Sequence, residues 1–272
     1  MTLTHWLTGT TRSPAFASFQ LEDVVEHGPP DDAAAAALAR AILDAKSSMG
    51  FLEQAAAVLG WDAVAARVAG GRTRVRRGDF GEALTATWFA EQHALQTPVP
   101  KLRYQVSADQ TQPGTDIVAL AITPEPLAVT AIHLTECKLR TRRNLASGED
   151  AHSQLITHRE ADFAEVVLFV LERLYFEARE LHDALLKHLE TRQSVQSATD
   201  RFEIALIYDA AVWDERVLAR IDAVAGDLAP LRVHSLRVDG LASLIDRAFG
   251  SVSAQVVIEE DACDVDATSD TV

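Results

Sequence analysis

The stretch "HLTECKLRTRR", residues 133–143, decides how the rest of the chain is interpreted. Its first half alternates apolar and polar side chains, a pattern that predicts a β-strand. Side chains of a strand repeat every two residues, so Glu136 and Lys138 lie on the same face. Arginines follow at three of the next positions: Arg140, Arg142 and Arg143. The strand therefore presents a carboxylate and an ammonium group together and ends in a fringe of cations.

Two preceding stretches carry acidic residues towards this strand. "QTQPGTDIVALAI" predicts a turn followed by an apolar, β-branched strand that opens with Asp116. "RGDFGEALTATWFAEQHAL" predicts a helix that begins near Asp79 and places Glu82 in its first turn. Neighbouring strands lie about 4.8 Å apart, so Asp116 and Glu136 can share one divalent ion if their strands pair in register.

The order of the predicted elements indicates an α/β fold. "KLRYQVS", residues 101–107, alternates and is predicted as a strand that precedes the two strands above, and short turns favour an antiparallel meander of the three. Helical patterns follow, the strongest over residues 163–190. "RFEIALIYDA" and "LRVHSLRV" are predicted as two further strands that alternate with helices. We therefore predict a mixed central β-sheet flanked by helices.

Three regions are predicted along the chain. Residues 1–70 are expected to form an N-terminal helical appendage, because residues 31–69 are rich in alanine and carry acidic residues suited to a helix start. Residues 71–250 are expected to form the main domain. Residues 251–272 hold six acids and no base, which is typical of a solvated acidic tail.

Composition limits the classes of function. The chain has 272 residues, 48% of them hydrophobic, enough for a substantial core. No apolar run approaches the roughly 20 residues of a membrane helix, and the start lacks the basic and apolar regions of a signal peptide. We therefore expect a soluble, cytoplasmic protein. Histidine pairs at metal-ligand spacing do not recur, and the chain has only two cysteines, which argues against a structural zinc.

The charge of the chain is uneven. A net charge of −15 argues against a generic nucleic-acid binder. Against this background stand two basic clusters, the arginines of residues 140–143 and those of "GRTRVRR", which include Arg76 and Arg77. Arginines at such positions can hold phosphates. The chain has neither the glycine-rich phosphate loop nor the dinucleotide fingerprint, so it is not expected to hydrolyse nucleotides unaided.

The four polar residues suit phosphodiester hydrolysis. Carboxylate oxygens are the ligands that Mg²⁺ prefers, and the ion polarises a phosphate and lowers the pKa of a bound water. A nearby lysine orients that water or stabilises charge that develops on the phosphoryl group. The candidate catalytic and metal-binding residues are thus Glu82, Asp116, Glu136 and Lys138.

"GDFGEAL", "PGTDIVAL" and "HLTECKLR", in this order, resemble the PD-(D/E)XK, or restriction-endonuclease-like, nuclease superfamily over about residues 78–209. The resemblance implies a Mg²⁺-dependent DNA endonuclease, with Mn²⁺ able to substitute. It assigns metal binding to Asp116 and Glu136, assistance of the attacking water to Lys138, and completion of the site to Glu82. Proline and aspartate are separated here as "PGTD", a departure from the motif. Gln154 matches a helix glutamine of some members.

A narrower resemblance concerns "KLRYQVSADQTQPGTD" followed by "ECK". These motifs are similar to those of the nuclease subunit of Hachiman-type bacterial anti-phage systems, which is paired with a helicase subunit. This resemblance implies a defence role, DNA as substrate and a helicase partner. Such a partner would supply most of the DNA affinity and explain the acidity of the chain. Whether the chain forms a homodimer stays open.

Structural interpretations compete with each of these assignments. Asp44 and Lys46 repeat the acid–lysine spacing within a helical stretch, so the spacing alone is common. Glu82 in a first helical turn also suits the helix dipole, the arginines can counter local acids, and Gln154 and His158 suit a helix surface. The rival function is a non-catalytic adaptor that keeps the fold and binds a partner through the apolar face of residues 163–190. The nuclease interpretation, unlike the adaptor, requires the site residues to converge in an open cleft.

Overall fold

The computed structural model describes residues 2–12, 16–105, 107, 109, 114–159, 163–191, 200–252 and 255. Within these ranges seven strands form one sheet in the order β1-β2-β7-β6-β5-β4-β3. The pairs β2/β7, β7/β6 and β6/β5 are parallel, and the outer pairs are antiparallel. The strands are β1 Leu7–Arg12, β2 Gln20–Glu26, β3 Leu95–Gln96, β4 Ile117–Pro124, β5 Leu127–Arg140, β6 Arg201–Asp209 and β7 Leu231–Val238. The predicted α/β fold with a mixed sheet is confirmed.

Helices cover both faces of this sheet. One hydrophobic cluster joins the sheet to α1, α3, α4 and α9, and a second joins it to α5–α8 on the other face. The helices are α1 Asp32–Lys46, α2 Met49–Leu59, α3 Trp61–Ala69, α4 Thr73–His93, α5 Ser147–Thr157, α6 Phe163–Glu177, α7 Arg179–Glu190, α8 Arg216–Asp222 and α9, residues 241–252. The alternation of β5 divides its side chains between the two faces: Leu134 packs towards α5–α8, and Cys137 packs towards α4.

The predicted strand at residues 101–107 is wrong. The structure has a 3₁₀-helix at Lys101–Tyr104 instead, and the antiparallel meander is completed by the two-residue strand β3. Pro98 and Pro100 explain the difference, since prolines lack an N–H for a sheet and fix the backbone before the helical turn. The N–H of Arg103 donates to the carbonyl of Pro100 at 3.1 Å, which closes that turn.

The N-terminal region is not purely helical. Helices α1–α3 occupy residues 32–69 as predicted, but the sequence did not predict the two strands that precede them and extend the sheet beyond β7. Strand β1 reads "LTGTTR", a polar edge strand with little apolar signal. Its Gly9 has a packing reason, because a Cβ there would lie 2.8 Å from Trp88 and collide with the carboxylate of Glu22.

The helix predicted over residues 163–190 is two helices. Ala178, with φ −152° and ψ 74°, separates α6 from α7. Most of its predicted apolar face is buried against the sheet, including Phe163, Val167, Val170, Leu174 and Leu185. The predicted acidic tail lies largely outside the described residues, since only residues 251, 252 and 255 of it are described.

Candidate active site

The antiparallel pairing of β4 and β5 brings two predicted acids together. Ile117 pairs with Thr135, so one further step places Asp116 opposite Glu136. Oδ2 of Asp116 accepts a hydrogen bond from the backbone N–H of Cys137 at 2.9 Å, which fixes the carboxylate at the start of β4. The two strands therefore pair in the register that a shared ion requires.

Lys138 lies beside these acids. Its Nζ donates to Oε2 of Glu136 at 3.1 Å and also donates to Oε1 of Gln154. Nε2 of His158 lies 3.2 Å from the other carboxylate oxygen of Glu136. Gln154 and His158 are four residues apart at the end of α5 and therefore lie on one helix face. From that face Gln154 contacts Lys138, and His158 contacts Glu136. The structure thus places Gln154 in the cleft and not on an ordinary helix surface.

Glu82 reaches the same place from α4. The helix begins at Thr73 and not near Asp79, so Glu82 lies in its third turn. The helix dipole acts within the first turn and does not account for an acid at this position. Glu82 lines the same cleft as Asp116 and Glu136.

Lys101 is a site residue that sequence reasoning missed. Its Nζ donates to Oδ1 of Asp116 at 3.2 Å and to the carbonyl oxygen of Gly114 at 3.3 Å. Residues 101–107 were predicted to form a strand, and that prediction did not place Lys101 near the site. The available signal was composition: the chain has only four lysines, and two of them, Lys101 and Lys138, lie here.

Burial and mutual repulsion perturb the acids. Burial raises the pKa of Glu82 well above its ordinary value, and the charges of Asp116, Asp79 and Glu136 raise it further against the opposing charge of Lys101. Burial also raises the pKa of Glu136, with a contribution from Asp116, against hydrogen bonds from His158 and Lys138.

Neighbouring groups respond to the same charges. The carboxylates of Glu82 and Asp116 raise the pKa of Lys101 in spite of its burial. Burial and Asp116 raise the pKa of the Cys137 thiol well above its ordinary value, which leaves that thiol protonated and unsuited to be a nucleophile.

The donors of the cleft are of the chemical type that a hard divalent cation binds. Glu82, Asp116 and Glu136 offer carboxylate oxygens from a helix and two strands, and oxygen ligands are those that Mg²⁺ takes. Acids whose pKa values are raised by one another are in the electrostatic state that a bound cation relieves. The residues present therefore suit a Mg²⁺ site in which two lysines flank the acids.

An arginine-lined cleft of about 1350 Å³ surrounds the site. Five arginines line it: Arg74, Arg77, Arg140, Arg142 and Arg143. Arg143 also pairs with Asp214. Arg76, which was predicted together with Arg77, does not line the cleft. Its Nε donates to the carbonyl of Ala69 at 2.9 Å, and its guanidinium lies 4.9 Å from the ring centre of Phe249, away from the cleft. Successive helix residues point about 100° apart, so Arg74 and Arg77 face the cleft while Arg76 does not.

Fold and site together define a class: an α/β protein in which acids and lysines converge in an arginine-lined cleft at the edge of a mixed sheet. The model of the HamA family matches residues 16–245, and the chain belongs to this family. Membership confirms the narrower resemblance to the Hachiman system and indicates a role in anti-phage defence. No curated protein matches the chain.

None of the described helices combines the length and the apolar character that crossing a bilayer requires.

Proposed function

We propose that the protein is a Mg²⁺-dependent DNA endonuclease of an anti-phage defence system and acts with a helicase subunit. The observation that carries the proposal is the convergence of Asp116, Glu136 and Lys138 in one open, arginine-lined cleft. An isolated surface pair of Glu136 and Lys138 would not require a second acid, Asp116, opposite it, and Glu136 is only 2% exposed.

Each side chain has a role that follows from its contacts. Mg²⁺ held by Asp116, Glu136 and Glu82 would polarise the scissile phosphate and lower the pKa of a bound water, and Mn²⁺ would substitute. Lys138 is held by Glu136 and Gln154 and would orient the attacking water or stabilise developing negative charge. Lys101 holds Asp116 in place.

The cationic rim would bind the backbone of DNA. Arg74, Arg77, Arg140 and Arg142 line the cleft and can hold phosphates on either side of the scissile bond. The rest of the chain repels DNA, because the net charge is −15. A helicase partner that delivers DNA to the cleft overcomes this repulsion, which supports a nuclease that acts within a complex.

The test is a cleavage assay on plasmid, linear and single-stranded DNA with Mg²⁺ or Mn²⁺, alone and with the helicase subunit encoded in the same defence system. The paired variants are Lys138→Met and, as a matched control, Lys187→Met, an exposed lysine of α7. We expect metal-dependent cutting that is lost in Lys138→Met and kept in Lys187→Met, with similar melting temperatures. Equal cutting by both variants, or no cutting in the presence of the partner, would contradict the proposal.

The adaptor alternative retains one supporting observation. The apolar face predicted to bind a partner is largely buried, but Leu168, Tyr175 and Phe176 on α6 are 63%, 50% and 76% exposed. Phe176→Ser separates the two functions. An adaptor cleaves no DNA with or without this substitution and loses its partner binding, whereas an endonuclease keeps its metal-dependent cleavage of DNA.

A further inference from the structure

A second cluster of ionisable side chains crosses the sheet on the face covered by α4. Nε2 of His93 lies 2.9 Å from Oε2 of Glu22, and Nδ1 of His234 lies 2.6 Å from that same oxygen. The second nitrogen of His234, Nε2, lies 2.8 Å from Oε2 of Glu203, whose other oxygen lies 2.9 Å from Nδ1 of His133. We call these five residues the histidine–carboxylate ladder. They come from β2, α4, β5, β6 and β7.

We propose that Glu22, His93 and His234 form a binding site for a divalent transition metal, with Zn²⁺ as the representative ion, separate from the carboxylate cleft. One ligand atom from each of the three residues lies within 4.8 Å of the other two. Imidazole nitrogens with one carboxylate are a donor set that Zn²⁺ takes in proteins, whereas Mg²⁺ prefers oxygen ligands alone. The two sites therefore differ in the ions that they select.

The surroundings of His234 match those of a metal ligand. A histidine that binds a metal through one nitrogen commonly donates its other N–H to a carboxylate, which fixes the tautomer and the ring orientation. Here Nε2 of His234 faces Glu203, and Glu203 is itself held by His133. Nδ1 is then directed at Glu22, the second proposed ligand, with which it forms a hydrogen bond.

The three ligands are also held before any ion binds. Glu22 and His234 are 7% and 0% exposed, and the rings of His93 and His234 lie 5.5 Å apart between centres. Glycine at position 9 leaves the space that the Glu22 carboxylate occupies, since a Cβ there would collide with it. Tetrahedral metal bonds of about 2.0–2.1 Å place ligand atoms about 3.4 Å apart, so the contacts of Glu22 with His234 and His93 would lengthen by about 0.5–0.8 Å when an ion binds.

The cluster is accessible to solvent on the side of His93. Its side chain is 20% exposed, so water can reach the cluster there. In the metal-free protein Nδ1 of His234 and Oε2 of Glu22 form a hydrogen bond, and a bound ion would displace the proton of that bond. The bound metal would fasten the edge of the sheet at β2 to β7 and to the end of α4. The ligands are residues 22, 93 and 234, too far apart in sequence to form a local motif.

The test measures metal content and does not depend on nuclease activity. The full chain, incubated with Zn²⁺ and desalted, is analysed for bound zinc, and melting is recorded with Zn²⁺ and with EDTA. Asp116→Asn removes a ligand of the cleft, His93→Gln removes a ligand of the proposed site, and His182→Gln is the control on α7. In the wild type, Asp116→Asn and His182→Gln, we expect one zinc per chain. We also expect each of these proteins to melt at a higher temperature with Zn²⁺ than with EDTA.

His93→Gln removes a proposed ligand and should bind Zn²⁺ at least about 100-fold more weakly. His133→Gln removes an outer partner that holds Glu203, and loss of an outer partner typically weakens metal affinity by 10–100-fold, so we expect binding about tenfold weaker. The graded result with His133→Gln supports the proposal even if His93→Gln folds poorly. Absence of zinc in the wild type, equal retention by His93→Gln, or loss in Asp116→Asn would overturn it. The first two results would identify the cluster as a proton-holding ladder only, and the last would place the zinc in the cleft.

Discussion

The cleft and the histidine–carboxylate ladder bury acidic side chains in opposite electrostatic conditions. Burial alone would raise the pKa of Glu203, but hydrogen bonds from His133 and His234 lower it to about 2. The pKa of Glu22 is lowered in the same way by His234 and His93. In the cleft, burial raises the pKa of Glu82 and of Glu136, and neighbouring acids raise both further.

This difference separates a cluster whose charges are compensated within the fold from one whose charges are not. Each acid of the ladder lies between two imidazoles, so its charge is compensated within the fold. The acids of the cleft lie close to one another, and the positive charges of Lys101 and Lys138 compensate their negative charges only in part. Like charges are gathered at a cost to stability where a cation or a reaction makes use of them. The comparison predicts that variants of the two clusters affect different properties.

The largest effect is expected from Asp116→Asn. Asparagine keeps the shape and can still accept the N–H of Cys137, but it removes a metal ligand. We expect Mg²⁺-dependent cleavage to fall by about 1000-fold, on the scale of losing a main electrostatic contributor to catalysis. The melting temperature in EDTA should not fall. A large loss of stability in this variant would show that the cleft is a structural cluster like the ladder.

The second prediction concerns Glu203→Gln in EDTA. Removal of this charge leaves the buried His234 without one of its two carboxylate partners. Breaking a buried ionic pair costs about 3 kcal/mol or slightly more, so the free energy of unfolding should fall by about that amount. Denaturant unfolding measures it. Glu82→Gln is the matched variant, and equal losses in the two would remove the distinction between the clusters.

The third prediction is the pH dependence of that matched variant. Burial raises the pKa of Glu82 in the folded state well above its ordinary value of 4.5, so the folded protein retains this proton to higher pH than the unfolded chain does. Its contribution to stability is therefore present below about pH 4.5 and is lost as the pH rises through the raised pKa. Without metal, Glu82→Gln should be more stable than the wild type at pH 8 and equal to it near pH 4.

The ladder should respond to pH with the opposite sign. The lowered pKa of Glu203 makes its contribution present above about pH 4.5 and lost as the pH falls towards 2. Denaturant unfolding of the wild type, Glu82→Gln and Glu203→Gln between pH 3 and pH 8 separates the two responses. The same sign for both variants would contradict the assignment. Mg²⁺ added at pH 8 should remove the advantage of Glu82→Gln.

The sequence predicted the cleft better than it predicted the ladder. Asp116, Glu136 and Lys138 lie within 23 consecutive residues on neighbouring strands, so the two-residue repeat and one hairpin bring them together. Lys101 was missed because its alternating neighbours predicted a strand, whereas the prolines before it start a 3₁₀-helix. Arg76 was misplaced because a cluster of arginines on a helix does not specify which of them face the cleft.

The ladder depends on contacts that no local pattern encodes. Glu22 and His234 meet only because β2, at one end of the chain, pairs in parallel with β7 near the other end. The sequence argument against a structural zinc considered only the spacing of histidines along the chain. Strand pairing brings together residues that are far apart in sequence, so that spacing does not detect them. Polar edge strands such as β1 escape prediction for the related reason that their stability comes from the neighbouring strand and little from their own apolar residues.

The smallest effect is expected from single arginines, and it sharpens the boundary of the cleft. Arg142 lines the cleft and is exposed, so Arg142→Gln should weaken DNA binding only a few-fold and lower the slope of log K against log salt by about 1. Arg76→Gln is the control from the same predicted set. It loses the contacts with Ala69 and Phe249, so unfolding should become easier by about 1 kcal/mol while the salt slope stays unchanged.

The dependence of DNA binding on salt is measured by fluorescence anisotropy with labelled DNA in EDTA, which prevents cleavage. This gives the slope of log K against log salt for Arg142→Gln and for Arg76→Gln. Only an arginine that releases counterions from a phosphate changes the slope, so the measurement separates contact with DNA from support of the fold. A reduced slope in Arg76→Gln together with an unchanged slope in Arg142→Gln would place the DNA on the other side of α4. The acids of the cleft would then lie away from the DNA path, and the proposed chemistry would lose its substrate.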